Sequence, residues 1–176
     1  HSTSRRQRQM CIRDSYYMIK AIIIDLDGTT LPRNWHQISE ENRVALEEAG
    51  QQGVVRILAT GRSVFSLNNT LPEGLPVDYM VFSSGAGIMH WDDKEILLTR
   101  ELSAEETRDI ATHLWKYDIN FTIQQRIPDN HHFYYRNISS LHEDFRRRIE
   151  NYPGLGTPIS SIDEIPVSYT HLRAHE

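Results

Sequence analysis

The sequence has 176 residues, with 19 Lys and Arg against 24 Asp and Glu, which gives a formal net charge of −5. An acidic chain of this kind binds the phosphate backbone of nucleic acids poorly, and its length suits one ordinary domain core. No apolar run approaches the length of a membrane span, and no signal peptide is visible. We therefore expect neither a nucleic-acid nor a membrane partner.

The two ends of the chain differ in origin from the rest, on our interpretation. Codons for Met10–Ser15 reverse-complement into codons for Val167–His171, and both ends are similar to a translated DNA-library adapter. We expect residues 1–15 and 166–176 to be adapter-derived, expect no order in 1–15, and exclude both from the fold prediction. The alternative for the N-terminal end is a natural basic arm.

Excluding the ends changes the composition of the remaining chain. They contain the single cysteine, five of the 19 basic residues and two of the 24 acidic residues. Residues 16–165 therefore carry 14 basic and 22 acidic side chains, a net charge of −8. Because no cysteine remains in this range, a reducing cytoplasm is the expected compartment.

The first half of the chain alternates predicted strands and helices. Met18–Ile24 is short, apolar apart from Lys20 and rich in β-branched residues, as in a strand covered on both faces. Ser39 is a good N-cap for a following helix, and Val54–Ala59 is a second strand. A helix follows it, and Tyr79–Phe82 is a third strand. The alternation predicts a parallel sheet with right-handed crossovers, in which ligands bind beyond the carboxyl ends of the strands.

The pattern changes after Gly87. We predict a hairpin at Ile88–Thr99 and a helix with a capping box that begins after Ser103. Two half-buried strands follow at Phe121–Gln124 and His132–Tyr135, and a last helix follows at Leu141–Ile149. The fold class is therefore α/β. Residues 16–87 form the N-terminal part of an incomplete Rossmann-like core, and residues 88–165 form an inserted α+β module, itself incomplete.

Three polar segments follow the three predicted strands, at Asp25–Thr30, Thr60–Ser63 and Ser83–Gly87. We expect them to converge at one edge of the sheet. A carboxylate there can attack phosphorus, and a second carboxylate can protonate the leaving oxygen and later accept a proton from water.

Within these segments, Gly28 lets a backbone amide approach an anion, and Thr60 offers a hydroxyl and neighbouring amides to phosphate. The alternatives are purely structural. The two aspartates would belong to a capped turn, Thr60 would be a plain helix cap, and Arg62 would pair with a surface carboxylate.

The segments DLDGTT (Asp25–Thr30) and TGR (Thr60–Arg62) resemble motifs of the haloacid dehalogenase-like phosphatase superfamily. The likeness extends to its Cof-type branch, which carries a class IIB α/β cap after the third strand. It implies that Asp25 is the nucleophile and a Mg²⁺ ligand. Asp27 would be the general acid/base and would give its backbone carbonyl to Mg²⁺. The implied phosphate-binding residues are Leu26, Gly28, Thr60, Gly61, Arg62, Ser84 and Gly85, although the family usually has Asn where Ser84 stands.

The resemblance also implies parts that the sequence lacks. The family supplies a lysine from a later helix and a carboxylate pair after Gly-Asp. Here the three lysines, Lys20, Lys94 and Lys116, are not placed to serve, and no Gly precedes an Asp. We therefore expect a truncated, nearly inactive fragment of a Mg²⁺-dependent phosphatase that acts on a small phosphorylated metabolite, such as a sugar phosphate or a phosphorylated cofactor.

Other functions stay open. The chain could be a non-catalytic fragment or phosphate-binding module, or it could belong to a phosphotransferase or phosphomutase. A response-regulator receiver is disfavoured because the acidic residues before the strand-end Asp and a late strand-end Lys are not seen.

Two further expectations concern histidines and assembly. Adjacent His131 and His132 would point to opposite faces of a strand, so we interpret them as surface or packing residues and expect no zinc site. An incomplete core would leave an open sheet edge, and we expect self-association through it.

Overall fold

The structure is a computed structural model that describes residues 19–32, 37–117, 119–136, 143–166 and 169–175. The N-terminal end, residues 1–15, and the first two residues of the predicted last helix lie outside the described residues. No described helix is long and apolar enough to cross a membrane.

The first sheet provides the parallel core that the alternating sequence predicts. It contains β1 (Ala21–Asp25), β2 (Val55–Ala59), β3 (Tyr79–Phe82), β4 (Gly87–His90) and β5 (Ile96–Thr99), in that spatial order. The first three strands are parallel and are connected by α1 (Glu40–Gln51) and α2 (Val64–Thr70). Ser39 caps α1, as predicted, by accepting the Asn42 N–H at 3.2 Å. The predicted α/β fold class is confirmed.

One face of this sheet is more exposed than the sequence suggests. The apolar run that becomes β1 predicts cover on both faces, but exposure alternates along the strand and Ile23 is 70% exposed. Successive strands step in one direction across the sheet, so two right-handed crossovers place α1 and α2 on the same face. The described residues therefore leave the Ile23 face uncovered.

The predicted hairpin is present, but it belongs to the core sheet. Its first strand, β4, pairs antiparallel with β3, and β5 pairs with β4. Gly87 permits the tight reversal, because a Cβ there would overlap the Phe82 ring. Residues 88–99 therefore pair with the first sheet, and the module boundary at residue 87 stays a prediction.

A second sheet follows the first. Its four strands are β6 (Asn120–Gln125), β7 (Phe133–Arg136), β8 (Gly156–Ile159) and β9 (Tyr169–His175). The helix α3 (Ala104–Trp115) precedes β6, and α4 (Glu143–Asn151) lies between β7 and β8 in the chain. The strand order of the sheet is β8-β7-β6-β9. The capping box predicted at Ser103 and Glu106 is present. The sequence predicts a half-buried β6, yet Asn120 to Ile123 are all buried because β6 lies between two strands and packs under α3.

The last strand comes from residues that the fold prediction leaves out. β9 pairs antiparallel with β6, and Leu172 packs against the cluster of Ala111, Phe121 and Ile123. Strand pairing uses backbone groups that every residue except proline carries in full. The adapter origin of residues 166–176 therefore stays a prediction that is independent of their place in the sheet.

Candidate active site

The three polar segments meet at the carboxyl edge of the first sheet, as predicted. Asp25 is in register with Ala59, and the Thr60 N–H donates to the Val81 carbonyl at 2.9 Å. The Ser84 N–H in turn donates to the Thr60 carbonyl at 3.0 Å. The segments that follow neighbouring strands are thus joined by backbone hydrogen bonds, and their side chains lie at one edge of the sheet.

Asp27 has the densest contacts of these segments. Thr60 Oγ1 donates to Asp27 Oδ2 at 2.9 Å. Arg62 donates to Asp27 Oδ1 through Nε at 2.9 Å and through Nη2 at 2.6 Å. Thr60 is 6% exposed and also accepts the Arg62 N–H at 3.2 Å, so it positions both charged residues. Arg62 therefore pairs with a residue of the site itself and not with an unrelated surface carboxylate.

Asp25 is held by its backbone and keeps an exposed carboxylate. Its carbonyl accepts Thr30 Oγ1 at 2.8 Å, and its Oδ2 accepts Thr29 Oγ1 at 3.3 Å. Gly28 has φ +84°, which lets the chain turn back at once toward Leu31. The turn fixes the strand end, and among the described residues the donor to the Asp25 carboxylate is the neutral Thr29 hydroxyl.

Two of the residues predicted to bind phosphate have backbone amides that are already hydrogen-bonded. The Leu26 N–H donates to the Ala59 carbonyl at 3.1 Å, and the Gly28 N–H donates to the Leu31 carbonyl at 2.8 Å. The Leu26 side chain is fully buried in the core. Both amides serve the sheet and the turn, so neither is left for a phosphate in this structure.

The third segment has an unusual backbone. Ser83, Ser84 and Gly85 have φ values of 50°, 56° and 93°, and two of them are not glycine. Left-handed conformations cost such residues free energy and concentrate at functional sites. The Ser83 N–H donates to the Arg62 carbonyl at 2.8 Å, and a Cβ on Gly61 would lie 3.3 Å from Ser84 Oγ. Close packing against the second segment holds this conformation.

A cavity of about 470 Å³ opens between the two sheets. Its lining residues are Asp27, Gly61, Arg62, Ser63, Ser83, Ser84, Gln124, Asn130, His131, Phe133, Tyr152 and Leu172. Of the predicted site residues it contains Asp27, Gly61, Arg62 and Ser84, whereas Asp25, Leu26, Gly28, Thr60 and Gly85 are not among them. The residues from the second sheet carry no motif, and only their place in the fold reveals them.

His131, in the segment that leads into β7, is a titratable residue that lines this cavity. It stacks on Phe65 of α2 with ring centroids 4.3 Å apart and an interplanar angle of 11°. Burial lowers the pKa of His131, and nearby His132 lowers it further, against weaker opposing contributions from Asp129 and the Pro128 backbone. The neutral imidazole is therefore favoured, in a packing role that joins the two sheets.

The fit of a divalent cation is limited. No three His, Cys, Asp or Glu side chains converge into a metal-binding group within the described ranges. The Asp27 carboxylate is occupied by Arg62 and Thr60, which leaves its carbonyl and the exposed Asp25 carboxylate. Mg²⁺ commonly keeps several waters and takes one or two carboxylates at phosphoryl-transfer sites. These two oxygens fit as part of such a shell.

Comparison with known proteins identifies the family. The family model for haloacid dehalogenase-like hydrolases matches residues 22–165. The chain belongs to the haloacid dehalogenase-like hydrolases. The match includes strands of both sheets but not β9, and it contains every residue that lines the cavity except Leu172.

Curated relatives of this haloacid dehalogenase-like chain include phosphatases of Bacillus subtilis (strain 168). The 5-amino-6-(5-phospho-D-ribitylamino)uracil phosphatase YcsE is 31% identical over 121 residues, which are 64% of this chain and 47% of YcsE. YwtE, which carries the same activity name, is 33% identical over 106 residues, 60% of this chain and 35% of YwtE. The aligned regions thus span about half of these relatives or less.

Solved structures share the fold. BT1666, a phosphatase from Bacteroides thetaiotaomicron, superposes with a TM-score of 0.64 at 20% identity, covering 86% of this chain and 53% of that one. The subclass IIB sugar phosphatase BT4131 superposes with a TM-score of 0.57 at 20% identity, and the superposition covers 82% of this chain and 54% of BT4131. At this identity the likeness establishes the haloacid dehalogenase-like fold alone.

Proposed function

We propose that the protein is a Mg²⁺-dependent phosphatase that hydrolyses a small phosphorylated metabolite through an aspartyl-phosphate on Asp25. The observation that carries the proposal is the position of Asp27. Its carboxylate is held by Thr60 and Arg62 in the wall of the cavity, two residues beyond an exposed strand-end carboxylate. The Asp25 carboxylate is thus free to attack phosphorus, and the Asp27 carboxylate is oriented by its neighbours.

The chemistry needs two steps. In the first, an Asp25 oxygen bonds to phosphorus, the bond from phosphorus to the ester oxygen breaks, and protonated Asp27 gives that oxygen its proton. In the second, water attacks phosphorus, its proton passes to Asp27, and Asp25 is released as a carboxylate together with inorganic phosphate. The same residue serves as acid and then as base.

Arg62 links binding to this chemistry. It neutralises Asp27 in the structure, at 2.6 Å, and the phosphoryl oxygens of a substrate would compete for the same guanidinium. Exchange of Arg62 from Asp27 to phosphate would free the Asp27 carboxyl to carry a proton. Phosphoryl transfer also needs positive charge around the equatorial oxygens, and Mg²⁺ held by Asp25 and the Asp27 carbonyl would supply more of it when bound.

The substrate class follows from relatives and from the cavity. YcsE and YwtE are named for a phosphorylated ribitylaminouracil, and BT4131 is named as a sugar phosphatase. The cavity of about 470 Å³ suits a small metabolite. We propose a phosphorylated sugar or cofactor precursor as substrate, in the cytoplasm.

We further propose that the chain as it stands turns over slowly. The family's lysine and second metal carboxylates have no counterpart in the sequence, and phosphate-monoester hydrolysis needs accelerations of up to roughly 10²¹-fold. Detection of a single phosphoryl group per chain is therefore a more sensitive readout than turnover.

The test is acid-quenched mass spectrometry after incubation with p-nitrophenyl phosphate and Mg²⁺. We expect one phosphoryl adduct on the unaltered chain, none on Asp25→Asn, and retention on Asp27→Asn because its second step is slowed. An adduct that persists in Asp25→Asn would refute the assignment of the nucleophile. Release of free phosphate, as opposed to a phosphorylated acceptor, separates hydrolysis from phosphotransfer.

A further inference from the structure

The segment that leads into β7 reaches across to the first sheet. Asn130 Nδ2 donates to Ser83 Oγ at 2.8 Å, and the His131 ring stacks on Phe65 of α2. Ser83 is the residue with φ 50° directly after β3. The second sheet therefore contacts the strained segment at the carboxyl edge of the first.

Asn130 is buried with half of its amide unpaired. The residue is 2% exposed, and its Oδ1 has no hydrogen-bond partner among the described residues. Leaving a buried acceptor unpaired costs about 1–3 kcal/mol. Other things being equal, an apolar residue would be more stable here, so the amide suits a role in binding.

The position of Asn130 says what it would bind. The cavity has Asp27 and Arg62 on the side of the first sheet and Asn130 and His131 on the side of the second. A phosphoryl group held by Arg62 would lie in the cavity that Asn130 also lines, so the rest of its ester would occupy the space beside Asn130. This part of the substrate is the leaving group.

We propose that Asn130 is a specificity-determining residue that hydrogen-bonds a hydroxyl of the leaving group, so that the site prefers polyhydroxylated phosphate esters to alkyl ones. The inference rests on the proposed function. Ser83 acts as a positioning residue, because it holds one end of the amide and leaves the other end for the substrate. A hydroxyl suits this amide because it both donates and accepts a hydrogen bond, while a neutral amide does not repel the phosphate dianion.

The experiment measures binding, so it does not depend on turnover. The full 176-residue chain and its variants are titrated calorimetrically with inorganic phosphate, sorbitol phosphate and n-hexyl phosphate. The last two probes have the same number of carbons and differ in hydroxyl groups. We expect the unaltered chain to bind sorbitol phosphate more tightly than n-hexyl phosphate. Asn130→Ala should weaken the binding of sorbitol phosphate by about threefold to tenfold and leave the affinity for n-hexyl phosphate unchanged.

Asn120→Ala is the matched control. Asn120 is 6% exposed and also has an unpaired Oδ1, but it is not among the residues that line the cavity. It removes a buried, half-paired amide in the same way and should leave the ratio of the two affinities unchanged. Ser83→Gly, which suits the positive φ and removes the hydroxyl, should lower that ratio in the direction of Asn130→Ala.

The outcomes separate the two proposals. Equal weakening of both esters by Asn130→Ala, or no weakening, overturns the inference. So does an unaltered chain that binds inorganic phosphate but shows no preference for sorbitol phosphate, and in that case the proposed function stands. A chain that does not bind inorganic phosphate at all overturns the proposed function together with the inference.

Discussion

Arg62 shows how a single residue can serve two states of one site. Its guanidinium contacts Asp27 Oδ1 through two nitrogens, and 26% of its side chain is exposed. A planar guanidinium binds a carboxylate and a phosphate with the same geometry, so the two compete for it. The ion pair keeps a cation at the cavity and shields the acidic groups that would otherwise repel a phosphate.

This competition predicts the effect of substitution at Arg62. Arg62→Gln should weaken binding of inorganic phosphate by about tenfold, because charge-assisted hydrogen bonds contribute about 1.5–3 kcal/mol and part of this is already used by Asp27. Titration calorimetry measures the change. Arg43→Gln is the control, since Arg43 pairs with Glu40 and Glu47 on α1 and lies outside the cavity. Unchanged phosphate affinity in Arg62→Gln would contradict the role given to this residue.

The elements that carry the site are fastened at the opposite end of the first sheet. Arg56 at the start of β2 donates to Asp78, just before β3, through Nε at 3.0 Å and Nη2 at 2.7 Å. The Arg56 N–H also donates to Asp78 Oδ2 at 2.7 Å, and Arg56 Nη1 donates to the Leu46 carbonyl of α1 at 3.3 Å. One ion pair thus joins two strands and a helix, and it fixes the register that brings the polar strand ends together.

The same pair predicts a pH dependence of stability. The hydrogen bond from Arg56 lowers the pKa of Asp78 below its ordinary value of about 3.8. A lowered pKa in the folded state means that the stabilisation is present above that ordinary value and is lost as the pH falls through the folded pKa. We expect Asp78→Asn to reduce the free energy of unfolding by about 2 kcal/mol at neutral pH, with the difference shrinking in acid.

Urea denaturation followed by circular dichroism at several pH values measures this difference. Asp163→Asn is the control, because Asp163 pairs with Arg108 at 2.6 Å but is 84% exposed, and such pairs contribute little. A destabilisation by Asp78→Asn that stayed constant into acid would show that the charge of Asp78 is not its cause.

At the scale of the molecule, the described part of the chain has an uncovered sheet face beside an unpaired strand edge. Among the described residues β1 is the outer strand of the first sheet, and Ile19 and Ile23 are 67% and 70% exposed. An outer strand presents N–H and C=O groups to another chain, and apolar side chains beside it strengthen the pairing. Self-association of two copies along β1 would cover both.

This arrangement predicts concentration-dependent assembly. Sedimentation velocity should show the unaltered chain growing in mass with concentration, and Ile23→Lys should reduce the growth because a charge on this face opposes close pairing. Val44→Lys is the control, since Val44 is a similarly apolar residue of α1 with 41% exposure. An unaltered chain that sediments as a monomer at every concentration would exclude this assembly.

Local sequence was enough to predict the motif residues and the strands that precede them. Asp25, Asp27 and Thr60 follow apolar runs, and the geometry of a parallel sheet requires that such ends lie at one edge. The capping residues Ser39 and Ser103 were equally readable, because a cap is satisfied within four residues of itself. Hydrophobic periodicity and helix caps depend on residues that are close in the chain, so they can be predicted without knowing the tertiary fold.

Only the tertiary structure determines which polar groups already have hydrogen-bond partners within the protein and which remain available to a ligand. Leu26 and Gly28 are predicted phosphate-binding residues, and in the structure the sheet and the turn occupy both of their backbone amides. The contact of Asn130 with Ser83 joins residues 47 positions apart, and no pattern in the chain announces it. Hydrogen-bond partners and cavity walls come from packing between distant segments, whereas the sequence by itself determined only what each segment brings to that packing.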